Sequence, residues 1–314
     1  MKRVAITGCS GFIGSNLARK LIESGYEVHG IVRGASSLSN LDSIQDKMRV
    51  HKADINDFEA IGKIVDEVKP DVIHHLAMHN YLDCDSVQDI IKTDISATLN
   101  LLHAAKKHGF DLFVNTGSSL EYGRKSQPMK ETDVPEPNSP YACAKVAASC
   151  WCQHEGRDYN LPVVTLRLFS IYGPYEAKKR FVPQMVLNAL EGKDLNLTSS
   201  NTYRDFTHVD DVVEAYMHFQ RIAKDKKIKC GEIYNVGTGT QATLEQLARE
   251  VNGYSGSKSN IKLGAYPDRP WDRTVCWQAD ISKIMATGWK PKRDLFNGVS
   301  STVEWFKANL KRYE

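Results

Sequence analysis

The chain has 314 residues, with 41 basic and 38 acidic side chains for a formal net charge of +3, and 41% of its residues are hydrophobic. That length holds one large domain or two smaller ones, and it buries enough surface to fold without a metal or a disulfide. The near-balance of charge, with no strongly basic block, argues against nucleic acid as a partner, and apolar residues spread along the whole length exclude disorder as the main state. The apolar run Val4 to Ile6 is too short for a secretory signal and is broken at Gly8. No run of about 18 apolar residues occurs, so no membrane span is expected. The cysteines are Cys9, Cys84, Cys143, Cys150, Cys152, Cys230 and Cys276, an odd number without Cys-x-x-Cys spacing. Reduced thiols in a cytoplasmic protein are expected, rather than a disulfide framework or a zinc site.

In chain order, Arg3 to Thr7 reads as a strand and Gly14 to Ser24 as a helix with Leu17, Leu21 and Ile22 on one face. Glu27 to Val32 and Met48 to Lys52 read as strands, Asn56 to Val68 as a helix, and Val72 to Leu76 as a strand. Asp85 to His108 carries one long helical pattern. Leu112 to Asn115 is a strand, Tyr141 to Asn160 a helix and Val163 to Phe169 a further apolar run. Strand and helix alternating in this way imply a doubly wound α/β fold, a parallel sheet covered on both faces. After about residue 170 the alternation weakens. Helices are expected at Val182 to Glu191, Asp210 to Ala223, Thr243 to Asn252 and 294–312, with a strand at Cys230 to Asn235 and a loop-rich stretch from Tyr254 to Asp280. The chain is expected to cross more than once between a nucleotide-binding body (1–170, with segments near 205–240) and a smaller, discontinuous α/β cap (171–204 and 241–314).

Thr7-Gly8-Cys9-Ser10-Gly11-Phe12-Ile13-Gly14 lies between the first strand and the first helix. Glycines every third residue permit a tight turn, let the backbone approach a pyrophosphate, and let helix and strand pack closely. The helix N-terminus then offers free N–H groups and the positive end of its dipole to phosphate. In this context the motif reads as a dinucleotide fingerprint. At the end of the second strand, where an NAD site usually places a carboxylate, the sequence has Arg33, followed by Ser36 and Ser37. A guanidinium there suits a 2′-phosphate, so NADP(H) is favoured, with NAD(H) retained as the alternative. Arg33 over the adenine ring or in solvent is the competing reading. Asp54 either meets the adenine amino group or caps a helix or turn.

Tyr141 and Lys145 are four residues apart and share a helix face, at the start of the helix that follows the proline-rich loop 128–140. An ammonium beside a phenol favours phenolate, and this pairing is expected to make Tyr141 a usable acid or base near neutral pH. Ser118, in Thr116-Gly117-Ser118-Ser119 after a strand, stands where ligands of open parallel sheets bind and could hydrogen-bond a reacting oxygen.

These residues together resemble the extended short-chain dehydrogenase/reductase family, in its nucleotide-sugar epimerase, dehydratase and reductase branch. The resemblance runs through TGCSGFIG at 7–14, HHLA at 74–77, GSSLEYG at 117–123, SPYACAK at 139–145, LRLFSIYGP at 166–174, YRDFTHVDD at 203–211, YNVGTG at 234–239 and GWKP at 288–291. It implies a Rossmann fold and a catalytic triad of Ser118, Tyr141 and Lys145, with Lys145 also on the nicotinamide ribose. It implies cofactor contacts from Gly8, Ser10, Gly11, Phe12, Ile13, Gly14, Arg33, Ser36, Asp54, Ile55, Leu76, Ala77, Tyr141 and Lys145. A nucleotide-diphosphate sugar would meet Ser118, Ser119, Arg204 and Arg269, the arginines matching the family's phosphate ligands. A homodimer through helices at 85–108 and 141–160 is also implied. Trp151 is expected in that interface or, more ordinarily, in the core.

Departures from the family narrow the reaction. The 4,6-dehydratases carry Asp and Glu directly after the triad Ser/Thr, where this chain has Ser119 and Leu120. Neither can act as a carboxylic acid, which speaks against elimination of water. Asp94 and Ser170 each stand where Asn is usual. The segment 25–37 resembles NADP-using GDP-mannose dehydratases, and GSSLEYG resembles 4-keto-6-deoxyhexose reductases. The first expectation is an NADPH-dependent reductase of a nucleotide-linked 4-keto sugar, and the second a nucleotide-sugar 4-epimerase with tightly held NAD. A non-catalytic dinucleotide sensor on the same fold is the reading from a different class, against which the intact triad argues.

Overall fold

The computed structural model describes residues 2–79, 86–198, 202–267 and 276–314. Strand β1 (Arg3–Thr7) is buried from Val4 to Thr7, and β2 (Glu27–Val32) from Val28 onward. Buried on both faces, such strands need apolar runs and not alternation. With β3 (Arg49–Lys52), β4 (Val72–His75), β5 (Leu112–Ser118), β6 (Val163–Leu168) and the strand Glu232–Val236 they form a seven-stranded sheet. Its order is Glu232–Val236, β6, β5, β4, β1, β2, β3. Val4 pairs with Val28 on one side and Val72 on the other, and β2–β3 and β4–β5 are likewise parallel. Strand order reverses at β1, so the loops leaving β1 and β4 part at their carboxyl ends.

Helix α1 (Phe12–Glu23) buries Leu17, Ala18 and Leu21. Helix α2 (Phe58–Val68) starts at Asp57, whose carboxylate accepts from Ala60 N at 3.0 Å, and packs Ile61 and Val65 into the same apolar cluster as Ala5, Ile73 and Leu101. The long pattern expected over Asp85 to His108 is interrupted. Helix α3 (Val87–Ile90) passes into a π-turn at Ile91–Ser96 and then α4 (Ala97–Lys106). Hydrophobic periodicity hardly registers one inserted residue, so the sequence reads as a single helix. Helix α5 (Pro140–Asp158) is signalled fully by its start. Ser139 accepts from Ala142 N at 3.2 Å, and Pro140 takes the first helical position, where a missing N–H costs nothing.

Contacts divide the chain into two compact units, one of Met1–Glu121, Pro137–Arg167 and Val213–Tyr234, the other of Tyr122–Glu136, Leu168–Val212 and Asn235–Glu314. The second unit has its own core, in which α6 (Phe181–Leu190), α8 (Leu244–Ser255) and a C-terminal helix Leu295–Ala308 bury Val186, Leu247, Val251, Val303 and Phe306. Thr243 and Gln246 close a capping box at the start of α8. Short strands missed by the sequence reading, such as Ser170–Tyr172 with Phe206–His208 and Leu195–Asn196 with Ile261–Lys262, link these helices. At two or three residues they are too short to leave a pattern. Asp205 is buried and ties the unit together. Its carboxylate accepts from Thr238 N at 2.8 Å, Thr238 Oγ1 at 2.7 Å, Gly239 N at 3.0 Å and Ala279 N at 3.1 Å.

Candidate active site

The site residues that can be located together belong to the first unit. A cleft at the carboxyl ends of β1 and β4 is lined by nine of the expected residues: Gly8, Ser10, Gly11, Arg33, Ser36, Asp54, Ile55, Leu76 and Ala77. Phe12, Ile13 and Gly14 form the first turn of α1 and do not line it. Asn56, Met78, His79 and Thr93 do line it and were not anticipated. Gly8 has φ +67°, and a Cβ there would lie 2.9 Å from Ala77 N. The chain leaving β4 therefore passes where any other side chain would stand. Thr7 Oγ1 accepts from Leu76 N at 3.2 Å and Ala77 N at 3.1 Å, which joins the two strand ends.

Gly11 precedes α1 with no side-chain cap, and the first turn carries no acidic residue. The N–H groups of that first turn have no partner within the helix and suit an anion. Glycine cradle, uncapped helix start and cleft together fit a dinucleotide. Arg33 is exposed at the mouth of the cleft and makes no ion pair among the described residues. Asp54 accepts from Asn56 N at 2.8 Å in a turn and also lines the cleft, and Asp57 is the helix cap.

Lys145 and Tyr141 lie on the first turns of α5, both buried, with Lys145 Nζ 5.6 Å from the centre of the Tyr141 ring. Ser118, at the end of β5, contributes a hydrogen bond to Tyr141 and accepts from Leu120 N at 3.2 Å. The expected trio is therefore together. The Tyr141 hydroxyl also reaches Met78 Sδ at 3.9 Å. Electrostatics differ from the expectation. Burial pushes the Tyr141 phenol above its ordinary value, the Lys145 ammonium opposes this, and the Asp94 carboxylate reinforces it. Desolvation outweighs one ammonium, so Tyr141 is not brought toward neutrality.

Two buried carboxylates went unforeseen in these roles. Asp94 Oδ1 stands 3.1 Å from Lys145 Nζ, and its other oxygen accepts from His79 N at 3.0 Å. Burial lowers the Lys145 proton affinity, but Asp94, with Tyr141 and Glu121, more than reverses this and holds the ammonium charged. Glu121 accepts from Ser118 N at 2.8 Å and pairs with Arg167 Nε at 2.8 Å, with neither side chain reaching solvent appreciably. Asp94 was visible in the sequence as a departure, but its partner sits far along the chain and the π-turn leaves no sequence mark. Glu121 stands one position beyond the pair inspected for dehydratase carboxylates, so its sequence signal was available.

His75 is buried and its proton affinity is driven down, to about 3, by desolvation and then by Lys145. It is neutral, and the bonds assign its tautomer: Nδ1 accepts from Thr7 Oγ1 at 2.7 Å, Nε2–H donates to Thr98 Oγ1 at 2.9 Å, and Thr98 donates to Asp94 O at 2.8 Å. In the second unit Arg204 lies over the Trp277 ring, 5.0 Å from its centre, and donates to Tyr203 O at 2.7 Å. Arg269 lies outside the described residues. Ser119 is buried in the turn after Ser118. Trp151 is 48% exposed on α5, which corrects the expectation of a core role. The described cysteines are all free, and Cys84 lies outside the described residues. No described helix is long and apolar enough to cross a membrane.

Comparison with known proteins agrees with this geometry. Residues 5–302 match the family described as GDP-mannose 4,6 dehydratase. The chain is 29% identical to a dTDP-D-glucose 4,6-dehydratase of Mus musculus, over 100% of this chain and 91% of that one. Among solved structures, the UDP-glucose 4-epimerase of Thermotoga maritima with UDP-glucose superposes with a TM-score of 0.88 at 28% identity, covering 98% of this chain and 99% of the other. The dTDP-glucose 4,6-dehydratase of Bacillus anthracis in complex with NAD gives 0.87 at 27%, covering 99% and 98%. With the fold, the glycine cradle and the Ser–Tyr–Lys grouping already in place, the match over nearly the whole length settles kinship. The chain belongs to the extended short-chain dehydrogenases/reductases, in the family of nucleotide-sugar dehydratases and epimerases typified by GDP-mannose 4,6-dehydratase.

Proposed function

We propose that the protein reduces the 4-keto group of a nucleotide-linked sugar, with NADPH preferred over NADH. The observation that carries this reading is the turn after Ser118. Ser119 and Leu120 supply no carboxyl for elimination of water, and the carboxylate of Glu121 is engaged by Arg167 and the Ser118 amide. What remains is a hydroxyl, a phenol and an ammonium, a set that moves one proton at one oxygen. The dinucleotide, when bound, supplies the hydride to the ketone carbon. Ser118 hydrogen-bonds the carbonyl oxygen, and Tyr141, held as a neutral phenol, donates its proton to that oxygen as negative charge develops there. Lys145 stabilises the phenolate left behind and holds the ribose hydroxyls. Gly8, Ser10, Gly11 and the first turn of α1 take the pyrophosphate, and Arg33 with Ser36 takes the 2′-phosphate. Arg204 and Arg269 take the sugar nucleotide's diphosphate. Exposed Val87, Ile91 and Trp151 support pairing of two copies through α3–α4 and α5.

The test is consumption of NADPH by pure protein given nucleotide-linked 4-keto-6-deoxyhexoses, together with dissociation constants of stripped protein for NADPH and NADH. A tenfold preference for NADPH, about 1.4 kcal/mol, is within reach of one guanidinium–phosphate pair. No ketosugar-dependent consumption overturns the reductase, and a preference for NADH overturns the role of Arg33. Likeness to the Thermotoga epimerase favours a second reading, 4-epimerisation with retained NAD. Conversion of a nucleotide-hexose without added cofactor establishes that one.

A further inference from the structure

Where Asn is usual, this chain places a buried carboxylate against the triad's lysine. Asp94 sits in the π-turn Ile91–Ser96, where Ala97 N bonds back to Lys92 O, five residues away. Such a turn inserts one residue into a helix and re-aims the side chains it carries. Here the Asp94 carboxylate, fully enclosed, lies 3.1 Å from Lys145 Nζ, whose own side chain is 5% exposed. The arrangement is anchored twice more, by His79 N on Oδ2 and by Thr98 on the Asp94 carbonyl. A carboxylate against an ammonium in a dry setting offsets part of the field that the ammonium projects beyond the pair. Tyr141 is a titratable neighbour that feels both charges, the ammonium favouring phenolate and the carboxylate opposing it.

We propose that Asp94 is a positioning residue that partly offsets Lys145 and so adds to burial in keeping Tyr141 a phenol, poised to give a proton and not to take one. This deepens the reductase reading and rests on it for its catalytic meaning. Of the other groups facing the phenol, Ser118 alone acts in the opposite direction. From the turn after β5, Glu121 is negative and disfavours phenolate, but Arg167 offsets it. Ser118 contributes a hydrogen bond that favours phenolate. From β4, His75 is neutral. From helix Val209–Lys224, Tyr216 is itself an uncharged buried phenol bonded to Thr116 Oγ1 at 2.7 Å. Cys152, further along α5, is held as a thiol by burial. Asp94 is thus the negative group in direct contact with Lys145, and its removal leaves the ammonium without its ion-pair partner.

The experiment is titration of Tyr141 by carbon NMR in full-length protein labelled at tyrosine Cζ, its resonance assigned by loss in Tyr141→Phe. The native phenol is expected to resist titration beyond its ordinary value. Asp94→Asn should move the midpoint down by about one unit or more, the size of effect a neighbouring cation has once its ion-pair partner is gone. Asp94→Glu, which keeps the charge, should restore the native midpoint. The alkaline limb of kcat/KM for ketone reduction should shift with Asp94→Asn in the same direction. An unchanged midpoint in Asp94→Asn overturns the proposal, as does a midpoint in Asp94→Glu equal to that of Asp94→Asn, since geometry alone would then explain it. If Asp94→Asn does not fold, a native midpoint at or below the ordinary tyrosine value overturns it on its own. Absence of ketone reduction would sink the reductase reading while leaving the titration readable.

Discussion

Gly14 and Gly62 offer one substitution with two opposite outcomes. Both lie inside helices, α1 and α2, where alanine gains about 0.5–1 kcal/mol over glycine by losing less backbone freedom on folding. At Gly62 nothing lies within 4 Å of an added Cβ, so that gain is kept and Gly62→Ala stabilises. At Gly14 the Cβ would stand 2.4 Å from the Gly8 carbonyl oxygen and 2.9 Å from Cys9 Cα. Ordinary contact begins at 3.4 Å, so 3.4 minus 2.4 asks the helix to retreat by about 1 Å from backbone that cannot rotate away. The same Gly8 oxygen accepts from Gly11 N at 3.0 Å, so the retreat also strains the turn that shapes the dinucleotide cradle. Overpacking of this kind costs about 1–3 kcal/mol, which exceeds the propensity gain. At about 2–4 °C per kcal/mol, Gly14→Ala should lower the Tm by a few degrees and Gly62→Ala should raise it by about 1–4 °C. Dinucleotide affinity, read by titration of stripped protein, should fall at least about tenfold in Gly14→Ala, or 1.4 kcal/mol, and stay unchanged in Gly62→Ala. Equal shifts of Tm in one direction, or native affinity in Gly14→Ala, would refute the close-approach argument.

Two further outcomes follow from buried charge. Glu121→Leu removes the carboxylate beside buried Arg167 and should cost about 3–5 kcal/mol in urea unfolding, whereas adding Arg167→Met should recover most of it; additive losses would show that the pair is not coupled. His74 and His75 are held neutral by burial, with proton affinities lowered to about 4 and about 3, His74 bonded to Gln220 Oε1 at 3.0 Å. Below the unfolded value near 6.5 the unfolded chain takes up these protons and the folded one does not until pH 4 or 3. Stability is therefore complete above about pH 6.5 and is lost as pH falls through that window, by about 3–5 kcal/mol per histidine. His74→Gln should flatten that acid limb, and a limb identical to the native one would remove His74 from the account.

The sequence by itself determined whatever local chemistry enforces. Glycines at 8, 11 and 14 can serve only a tight turn and close approaches. Ser139 and Pro140 fix where α5 starts, and with it the shared face of Tyr141 and Lys145. Apolar runs at Arg3–Thr7 and Glu27–Val32 read as parallel strands because both faces are covered. The parts that escaped were decided by groups distant in the chain. Asp94 meets Lys145 only because a π-turn on one element faces the first turns of another, and Glu121, in the turn after β5, meets Arg167 only because β6 lies beside β5. The net direction of the Tyr141 shift was likewise beyond reach, because spacing reports the ammonium four residues away but not the depth of burial that outweighs it. Local pattern is a property of neighbours along the chain, whereas desolvation and ion pairing depend on what the completed fold encloses.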